Sequence, residues 1–508
     1  MDLEGAKVLA RAGLLAPVRP DRLLGMGLAV ARWGLTPATG YAAGAARHPD
    51  RVALVDDEGS LTYRDIHQRT DRLAGELRAR GVGIGSPVGL LARNGRGFIE
   101  AAVAVSKAGG DVLFLNTGSA AGQLAEVLDR ERAVVVVHDA EFAGLLAQAS
   151  AGRIALTTEE LGSLAESSEL GPPPKTGHQT RMVILTSGTT GAPRGAARSS
   201  ASIDDAVAML SRIPLHTGET TVIACPVFHA WGLGHLTLGM LLGSTIVLTR
   251  TFDPGKVLRL VEEHSATALI VVPVMLDMLL KAAGPDTSSL KVIASSGSAL
   301  PGDLATRTLE TFGPVLYNLY GSTEVAYAAV ATPDELARDP RTAGKPPAGV
   351  RLRVVDEHGD DCPPGKAGRL FVGSGLAFGG YTDGSDKDRL DGLIDTGDLG
   401  VIGDDGLLTV LGRDDDMVVI GGENVYPNQV EDVLLGHPGV RDVAITAAED
   451  PSYGVKLVAH VVGDASEEQL QQLVRDKLAR FAVPREFRFL DELPRNATGK
   501  VLKRNLAT

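Results

Sequence analysis

Short runs of apolar residues, many of them β-branched, alternate with helix-like stretches along much of the chain. The strand-like runs are Pro87–Asn94, Asp111–Asn116, Val134–Asp139, Met182–Thr186, Thr221–Val227, Thr245–Thr249 and Ala268–Val274. Helix-like stretches such as Gly97–Gly110 and Ala120–Arg132 separate them. Because strands of this composition are buried on both faces, the alternation predicts parallel sheets that are covered by helices.

The pattern changes after about residue 345, where the apolar runs become short and are joined by tight turns. Val350–Asp356, Gly368–Val372 and Gly406–Leu411 are typical of a small antiparallel, barrel-like unit. Charged residues crowd between two apolar strands at Gly412–Asp416, and we place the domain boundary there. The prediction is an α/β protein with a large N-terminal domain, residues 1–414, of two helix-covered sheets and the antiparallel unit. A small α+β C-terminal domain, residues 415–508, follows it.

Composition and charge exclude several classes of function. The length of 508 residues is several times that of a typical domain and supports a division into domains. Fifty lysines and arginines against 63 acidic residues give a net charge of −13, so nucleic acid is not an expected partner. Cys225 and Cys362 are the only cysteines, too far apart in sequence to suggest a disulfide framework or a zinc site. We therefore expect a cytoplasmic protein.

The N-terminal region shows no targeting pattern. It begins with Asp2 and Glu4 rather than a basic segment, and the apolar run Leu23–Ala31 is too short to span a bilayer. Residues 1–40 mix arginines with leucines and Trp33, a composition that also suits a membrane surface. A helical arm packed on the body is the favoured interpretation. Peripheral membrane contact and homodimer formation remain open as partner interactions.

The strongest local motif follows an apolar strand that ends at Leu185. It reads Thr186-Ser187-Gly188-Thr189-Thr190-Gly191-Ala192-Pro193-Arg194-Gly195. Its glycines allow close approach of the backbone, and its hydroxyl and N–H groups can surround phosphate oxygens, with a charge from Arg194. The spacing is not that of the G-x-x-x-x-G-K-[ST] loop. The motif predicts a phosphate-binding loop of a different kind.

This loop resembles the phosphate-binding signature of the adenylate-forming superfamily, which includes acyl-CoA synthetases, luciferases and the adenylation domains of peptide synthetases. Further motifs follow in the family's order. They are Ser296-Gly297-Ser298-Ala299-Leu300, Tyr317-Asn318-Leu319-Tyr320-Gly321-Ser322-Thr323-Glu324, Asp395-Thr396-Gly397-Asp398, Gly412-Arg413-Asp414-Asp415, Gly421-Gly422-Glu423-Asn424-Val425-Tyr426-Pro427 and Pro494-Arg495-Asn496-Ala497-Thr498-Gly499-Lys500. The resemblance extends from about Arg51 to Leu506.

The resemblance implies that a carboxylate reacts with the α-phosphorus of ATP and expels pyrophosphate. Two anions must approach each other, so the barrier is largely electrostatic and preorganised positive charge lowers it. Lys500 matches the lysine that bridges the carboxylate and the α-phosphate, and its long stem suits a mobile lid domain. Glu324 and Thr190 are the implied Mg²⁺ ligands. Thr323 is expected to bind the α-phosphate.

The resemblance also assigns the nucleoside and acyl sites. Asp398 would accept both ribose hydroxyls, Arg413 would contribute to the ribose site, and Tyr320 would stack on adenine. The implied nucleotide-binding set is Thr186, Ser187, Gly188, Thr189, Thr190, Gly191, Arg194, Gly297, Ser298, Ala299, Tyr320, Gly321, Asp398 and Arg413. His229, Trp231 and Gly232 match the segment that borders the acyl carboxylate, with His229 shielding it. The apolar residues Leu233, Leu236, Leu238 and Met240 line an acyl tunnel or belong to an ordinary helix core.

A second half-reaction is implied at the domain boundary. Asp415 matches the family hinge, about which the C-terminal domain would rotate to bring Gly421 and Gly422 to the adenylate and open a thiol channel. Basic residues are concentrated between positions 475 and 504, which suits the phosphates of coenzyme A or of a carrier-protein phosphopantetheine. A simple charged face explains the same basic residues equally well.

The resemblance implies an ATP-dependent acid–thiol ligase that uses ATP, Mg²⁺ and coenzyme A. Residues 51–142, with Leu115-Asn116-Thr117-Gly118 and His138-Asp139, resemble the fatty-acid-activating members most, which implies a medium- or long-chain fatty acyl-CoA synthetase. One departure is Arg194, which replaces the commoner lysine of the loop and keeps its charge. Three alternatives stay open at this point: transfer of the acyl group to a carrier protein, closure of a β-hydroxy acid to a β-lactone, and a non-catalytic nucleotide-binding protein.

Overall fold

A computed structural model describes most of the chain. The described residues are 3–34, 36–149, 152–174, 178–185, 194–198, 202–282, 284–414, 417–420, 423–450, 454–478, 480–496 and 499–506. No helix among them is both long enough and apolar enough to cross a membrane.

The elements alternate as the sequence predicts. The helices are α1 (Leu3–Arg11), α2 (Pro20–Trp33), α3 (Pro37–Arg47), α4 (Tyr63–Ala79), α5 (Arg96–Ala108), α6 (Ala121–Arg130), α7 (Ala143–Ala149), α8 (Thr158–Ser167), α9 (Ile203–Arg212), α10 (Ala230–Leu242), α11 (Pro254–Glu263), α12 (Pro273–Lys281), α13 (Gly302–Phe312), α14 (Pro333–Arg338), α15 (Pro427–Leu435) and α16 (Glu467–Lys477). Short 3₁₀-helices cover Ala140–Phe142, Arg480–Ala482 and Lys503–Asn505.

The strands complete the element list. They are β1 (Val52–Asp56), β2 (Gly59–Thr62), β3 (Pro87–Leu91), β4 (Asp111–Phe114), β5 (Val135–His138), β6 (Ile154–Thr157), β7 (Met182–Leu185), β8 (Gly195–Arg198), β9 (Thr220–Ile223), β10 (Thr245–Leu248), β11 (Ala268–Val271), β12 (Val292–Ser295), β13 (Leu316–Tyr320), β14 (Ala329–Ala331), β15 (Arg351–Val355), β16 (Gly368–Gly373), β17 (Arg389–Leu390), β18 (Leu393–Ile402), β19 (Leu408–Arg413), β20 (Val418–Ile420), β21 (Glu423–Val425), β22 (Val440–Asp450), β23 (Gly454–Gly463) and β24 (Glu486–Phe489).

Two largely parallel sheets form the N-terminal body. One has the order β6-β5-β3-β4-β7-β8, and the other has the order β14-β13-β12-β11-β9-β10-β1-β2. Within the described strands of these two sheets, antiparallel pairs occur only at the edges, at β7–β8, β13–β14 and β1–β2. Helix α5 lies in the core, with all its residues from Phe98 to Ala108 buried. The prediction of two helix-covered sheets is confirmed.

The antiparallel unit follows the two sheets. Strands β15, β16, β18 and β17 pair in that order, and β19 pairs with β18 so that Asp398 lies opposite Arg413. The register of the β18–β19 pair thus brings together two residues that the sequence motifs assign to a ribose site.

The C-terminal module has its own core. Strands β22, β23 and β24 form a sheet, with β22–β23 antiparallel and β23–β24 parallel, and α15 and α16 pack on it. Val430, Leu434, Leu470 and Val474 of the two helices are buried there. The small α+β module is therefore confirmed, whereas the predicted boundary between residues 414 and 415 stays a prediction.

The N-terminal segment is helical and packs on the body. Val8, Leu9 and Ala12 of the first helical region are buried in the main core. Helix α2 packs along α3, which in turn contacts α10. On its outer side α2 leaves Leu24 and Leu28 largely exposed.

Candidate active site

A cavity of about 1330 Å³ lies at the carboxyl ends of the parallel strands. Ligand sites of open α/β sheets are commonly found at such edges. Its lining includes many of the residues that the motifs predict: Arg194, His229, Trp231, Gly232, Gly297, Gly321, Thr323, Glu324, Asp398, Arg413 and Lys500. These residues come from segments far apart in sequence, so the fold brings the separate motifs into one site.

Several predicted residues lie outside the described part of the chain. They are Thr186, Ser187, Gly188, Thr189, Thr190, Gly191, Asp415, Gly421 and Gly422. Leu185 and Arg194, which flank the phosphate-loop motif, both line the cavity. Ser298 and Ala299 follow Gly297 in the turn after β12.

The predicted ribose corner is a hydrogen-bonded group. The Tyr320 hydroxyl donates to Asp398 Oδ2 at 2.5 Å. Arg413 Nη1 lies 3.5 Å from Asp398 Oδ1 and donates to the Thr396 carbonyl oxygen at 3.0 Å. Burial raises the pKa of Asp398, an effect opposed by the Tyr320 hydroxyl and the Arg413 charge. Burial and then the Asp398 charge raise the pKa of Tyr320, so its hydroxyl stays protonated and donates.

Glu324 is oriented by two hydroxyl groups. Its Oε2 accepts a hydrogen bond from Ser322 Oγ at 2.8 Å, and its Oε1 accepts one from the Tyr381 hydroxyl at 2.7 Å. The Arg194 guanidinium carbon lies 5.4 Å from the centre of the Tyr381 ring, and Arg194 Nε lies 3.6 Å from Asp383. Arg194 therefore faces the same corner of the cavity as Glu324.

The residues around Glu324 fit a magnesium ion. The described residues contain no cluster of three or more histidine, cysteine, aspartate or glutamate side chains that could hold a metal ion. Mg²⁺ in phosphoryl-transfer sites commonly uses one or two carboxylates together with substrate phosphates and water. The carboxylate of Glu324, fixed by hydroxyls and lining the cavity, is a suitable single ligand of that kind. Thr190, the other predicted ligand, is among the undescribed residues.

Lys500 is presented to the cavity by a tight turn of the C-terminal module. The Lys500 N–H donates to Asn496 Oδ1 and the Asn496 N–H donates to the Lys500 carbonyl oxygen, both at 2.9 Å. Gly499 has φ +78°, and a Cβ there would lie 2.3 Å from Val274 Cγ1 of α12. Only glycine allows this close approach of the module to the body. The observed arrangement thus places Lys500 with the ribose and phosphate residues.

The segment before α10 is fixed by Asn94, which follows β3. Asn94 Nδ2 donates to the Cys225 carbonyl oxygen, and Asn94 Oδ1 accepts from the Val227 N–H, each at 2.9 Å. A Cβ at Gly232 would lie 2.5 Å from the Pro226 carbonyl oxygen, so a side chain there would push α10 away from this segment. These contacts hold His229 at the start of α10.

The His229 imidazole is neutral over the ordinary pH range. Burial lowers the pKa of His229 to about 4. Its Nε2 is buried and has no hydrogen-bond partner among the described residues. Trp231 is held differently, since its Nε1 donates to the Val271 carbonyl oxygen at 3.0 Å. Both side chains line the cavity, as the motif predicts.

Beyond His229 the cavity continues as an apolar branch between α10, α3 and α2. Leu233, Leu238 and Met240 of α10 line it, but Leu236 does not and is buried in the main core. Of the two interpretations left open for these four residues, the helix core applies to Leu236, while the other three belong to the same core and also line the cavity. Residues of α2 and α3 complete the branch: Leu23, Met26, Gly27, Val30, Pro37, Thr39, Gly40, Ala43, Gly44 and Arg47.

The basic residues near the C-terminus are partly neutralised. Arg495 pairs with Asp442 at 2.6 Å, and Lys503 pairs with Glu431 at 2.8 Å. Arg488 pairs with Glu486 at 2.8 Å. The local excess of positive charge is therefore smaller than the residue count indicates.

Sequence reasoning missed three residues of the site. Asn94 anchors the His229 segment, Tyr381 orients Glu324, and Ser322 bonds the same carboxylate. Ser322 lies within a quoted motif, and the Gly380-Tyr381-Thr382-Asp383 turn is a second local signal. Asn94 offers little signal, since an asparagine after a strand is ordinary turn chemistry.

Comparison with known proteins agrees with this geometry. The family model of AMP-binding enzymes matches residues 41–382, and that of the AMP-binding enzyme C-terminal domain matches residues 429–500. A feruloyl-CoA synthase from Amycolatopsis sp is 33% identical over 471 residues, which cover 90% of this chain and 95% of that protein. A fatty acid–[acyl-carrier-protein] ligase from Streptomyces coeruleorubidus is 30% identical over 91% of this chain and 94% of its own length.

A solved structure supports the same assignment. The o-succinylbenzoate CoA synthetase from Bacillus subtilis, in complex with its acyl-adenylate intermediate, has a TM-score of 0.85 and 27% sequence identity. The match covers 92% of this chain and 98% of that one. The chain therefore belongs to the AMP-binding enzyme family, the adenylate-forming superfamily that includes the acyl-CoA ligases.

Proposed function

We propose that this protein is an AMP-forming acid–CoA ligase whose substrate is a medium- or long-chain fatty acid. A carboxylate oxygen of the acid attacks the α-phosphorus of ATP, and the bond to the β-phosphate oxygen breaks to release pyrophosphate. The thiol of coenzyme A then attacks the acyl carbon and releases AMP. The observation that carries the proposal is one cavity that joins Lys500, Asp398 and Glu324 to an apolar branch along α10.

The length of the apolar branch supports a chain of this size. Cavity-lining residues extend from Ala230 to Leu241 of α10, a rise of about 17 Å. An extended chain advances about 1.2 Å per bond, since a peptide residue of three bonds spans about 3.5 Å, so the branch accommodates about 14 bonds. Its walls are mainly leucine, methionine, valine, alanine and glycine, with a few polar side chains such as Thr39, His235 and Thr237, and the apolar majority favours an aliphatic chain.

The nucleotide half of the cavity receives ATP in this proposal. Asp398 accepts hydrogen bonds from the ribose, and Arg413 and Tyr320 hold Asp398 in place. Stacking of the Tyr320 ring on adenine is part of the proposal, although Tyr320 itself does not line the cavity and packs against the core of the antiparallel unit. Thr323, Arg194 and the loop 186–191 contact phosphates, while Gly297, Ser298, Ala299 and Gly321 shape the nucleotide pocket.

Magnesium and Lys500 supply the positive charge. Mg²⁺, held by Glu324 and Thr190, would screen the phosphates when bound. The Lys500 ammonium group neutralises the carboxylate and the α-phosphate as they approach, which lowers a barrier that arises mainly from charge repulsion. His229 stays neutral and shields the carboxylate where the apolar branch begins.

The second half-reaction needs a change of domain arrangement. The C-terminal domain, residues 415–508, rotates about Asp415, withdraws Lys500 and brings Gly421 and Gly422 towards the adenylate, so that the thiol gains access. Coenzyme A is the proposed acceptor. A carrier protein is the second candidate, because a carrier-protein ligase is among the relatives of similar length.

We also propose that the N-terminal helical segment, residues 3–34, contacts a membrane surface. Residues 3–34 carry five basic and two acidic residues in a chain of net charge −13. Within this segment, the side chains of Leu15 and Leu24 are 54% and 65% exposed. Apolar side chains next to basic ones favour the surface of an anionic bilayer, which is where long-chain acids partition.

Pyrophosphate release tests the proposed function. The protein is incubated with ATP, Mg²⁺ and acids from acetate to oleate, with aryl and β-hydroxy acids included, and products are identified by mass spectrometry with and without coenzyme A. We expect the highest kcat/KM for aliphatic acids of medium to long chain and acyl-CoA as product. A higher kcat/KM for short or aryl acids would overturn the chain-length assignment. Absence of pyrophosphate with every acid would overturn the ligase.

A further inference from the structure

His235 is a buried polar side chain on the wall of the apolar branch. It is 3% exposed, it lies on α10, and it lines the cavity. Its Nδ1 lies 3.1 Å from the Trp231 carbonyl oxygen, and its ring packs edge-on against the Trp231 ring with centroids 4.2 Å apart. Its Nε2 is buried and has no hydrogen-bond partner within the described residues.

The contact at Nδ1 determines which nitrogen carries the proton. A carbonyl oxygen can only accept a hydrogen bond, so Nδ1 is the protonated nitrogen and Nε2 carries a lone pair. Burial lowers the pKa of His235 to about 4, which keeps the ring neutral at ordinary pH. Nε2 is therefore a buried acceptor without a partner among the described residues, on a side chain that lines the cavity.

We propose that His235 Nε2 binds a hydroxyl group on the acyl part of the substrate, either a chain hydroxyl or a phenol, and so determines specificity. This inference rests on the proposed ligase function and refines its substrate class. A buried acceptor that has no partner destabilises the site, and a ligand that donates to it recovers that loss. Acids that lack the donor, or carry an ether in its place, leave the acceptor unpaired and bind less well.

The spacing along α10 gives the position of the hydroxyl. His229, which borders the carboxylate, precedes His235 by six residues, or about 9 Å along the helix axis. Six residues also turn the helix by about 240°, so the rise is a minimum: at about 1.2 Å per bond it places the hydroxyl at least about seven bonds from the carboxyl carbon of an extended chain. A hydroxyl group directly beside the carboxylate would not reach His235.

Neighbouring Thr237 provides a matched control. It lines the same cavity from the same helix, but its hydroxyl already donates to the Leu233 carbonyl oxygen at 2.5 Å. Its removal therefore exposes no new acceptor to the substrate. Thr237→Val changes the polarity of the wall without changing the proposed recognition.

The test compares kcat/KM for matched acids in the wild-type protein and in three variants, His235→Leu, His235→Gln and Thr237→Val. Each pair differs only in the donor: a mid-chain hydroxy fatty acid against the parent fatty acid, and a hydroxyaryl acid against its methyl ether. In the wild-type protein we expect kcat/KM to be at least tenfold higher for the hydroxylated member of one pair, mainly because its KM is lower. His235→Leu should abolish that preference, His235→Gln should restore part of it, and Thr237→Val should keep it.

The outcomes separate this inference from the proposed function. Activity on the parent acids with no preference for a hydroxyl in either pair overturns the role of His235 and leaves the ligase standing. A preference that persists in His235→Leu overturns it as well. The pair that shows the preference identifies the source of the hydroxyl. Melting temperatures of the variants with and without ATP report whether each is folded and binds nucleotide.

Discussion

The Tyr320 hydroxyl lies 2.5 Å from Oδ2 of Asp398, although 78 positions separate the two residues in sequence. Strand β13 carries the tyrosine and β18 carries the aspartate. The hydroxyl lowers the pKa of a carboxyl group that burial would otherwise raise further. It therefore favours the charged form of this carboxyl group and orients it to accept hydrogen bonds.

Removal of this hydroxyl should weaken ATP binding. A hydrogen bond to a charged group contributes about 1.5–3 kcal/mol, so we expect Tyr320→Phe to raise the KM for ATP by about ten- to hundredfold. Asp398→Ala should raise it more, because the ribose acceptor itself is lost. The control is Tyr317→Phe, three positions earlier on the same strand, which should leave the KM for ATP unchanged. Equal effects at both tyrosines would contradict the assignment.

Lys500 should act on the adenylation step. Removal of one preorganised charge of this kind commonly costs 10²- to 10³-fold, so Lys500→Met should reduce pyrophosphate release by about that factor. Thioester formation from separately supplied acyl-adenylate should change far less. Lys477→Met, at the exposed end of α16, is the matched loss of a lysine and should leave pyrophosphate release at the wild-type rate. Undiminished adenylation in Lys500→Met would remove the basis of the proposed mechanism.

The domain arrangement should depend on pH through Asp432 of α15. Burial, followed by the charge of Glu431, raises the pKa of Asp432 to about 7, against a smaller opposing effect of Arg341 in the N-terminal body. The observed arrangement binds this proton more tightly than one in which Asp432 is solvated. It is therefore disfavoured progressively as the pH rises from about 4 to about 7, and the effect is constant above 7.

This dependence can be measured with the two half-reactions. We expect the ratio of adenylation rate to thioester-formation rate to fall between pH 5.5 and 7 in the wild-type protein and to level off above 7. In Asp432→Asn the ratio should be higher and nearly independent of pH. Asp476→Asn, which removes an exposed carboxylate of α16, should behave like wild type. A wild-type slope in Asp432→Asn would assign the effect to another group.

The buried histidines should make the fold sensitive to acid. Burial lowers the pKa of both His229 and His235 to about 4, against about 6.5 in an unfolded chain. The unfolded state therefore binds more protons between these values, and stability falls as the pH falls from about 6.5 to about 4. We expect the melting temperature of His235→Gln to decline less steeply over this range. His358→Gln, at an exposed histidine, should follow the wild-type slope.

Helix α2 should contribute to binding of anionic vesicles. Leu24→Asp places a charge on an exposed leucine that does not line the cavity, so it should reduce co-sedimentation with phosphatidylserine-containing vesicles several-fold and leave activity on a dissolved acid unchanged. Ile84→Asp, at a residue 60% exposed outside the arm, is the control. Equal binding of both variants to the vesicles would contradict a membrane contact. So would a Leu24→Asp variant that loses a dimer but still binds the vesicles.

The sequence alone predicted the two helix-covered sheets, the antiparallel unit, the C-terminal module and the family. It could do so because alternating apolar runs indicate covered parallel strands, and because each part of the reaction requires particular residues at short, fixed spacings. Lys500, Glu324, Asp398 and Arg413 lie in such local motifs, and the structure places them around one cavity.

Only the tertiary structure decided how the rest of the cavity is built. Helix α10 is apolar on almost every side, so its periodicity could not separate Leu233, which lines the cavity, from Leu236, which does not. It also could not indicate that α2 and α3 form the opposite wall, or that His235 Nε2 has no hydrogen-bond partner in the described part of the chain. These features depend on which surfaces of distant segments approach each other and where they leave a gap. The sequence does not reveal the gap, because apolar side chains of the same type line a cavity and fill a core.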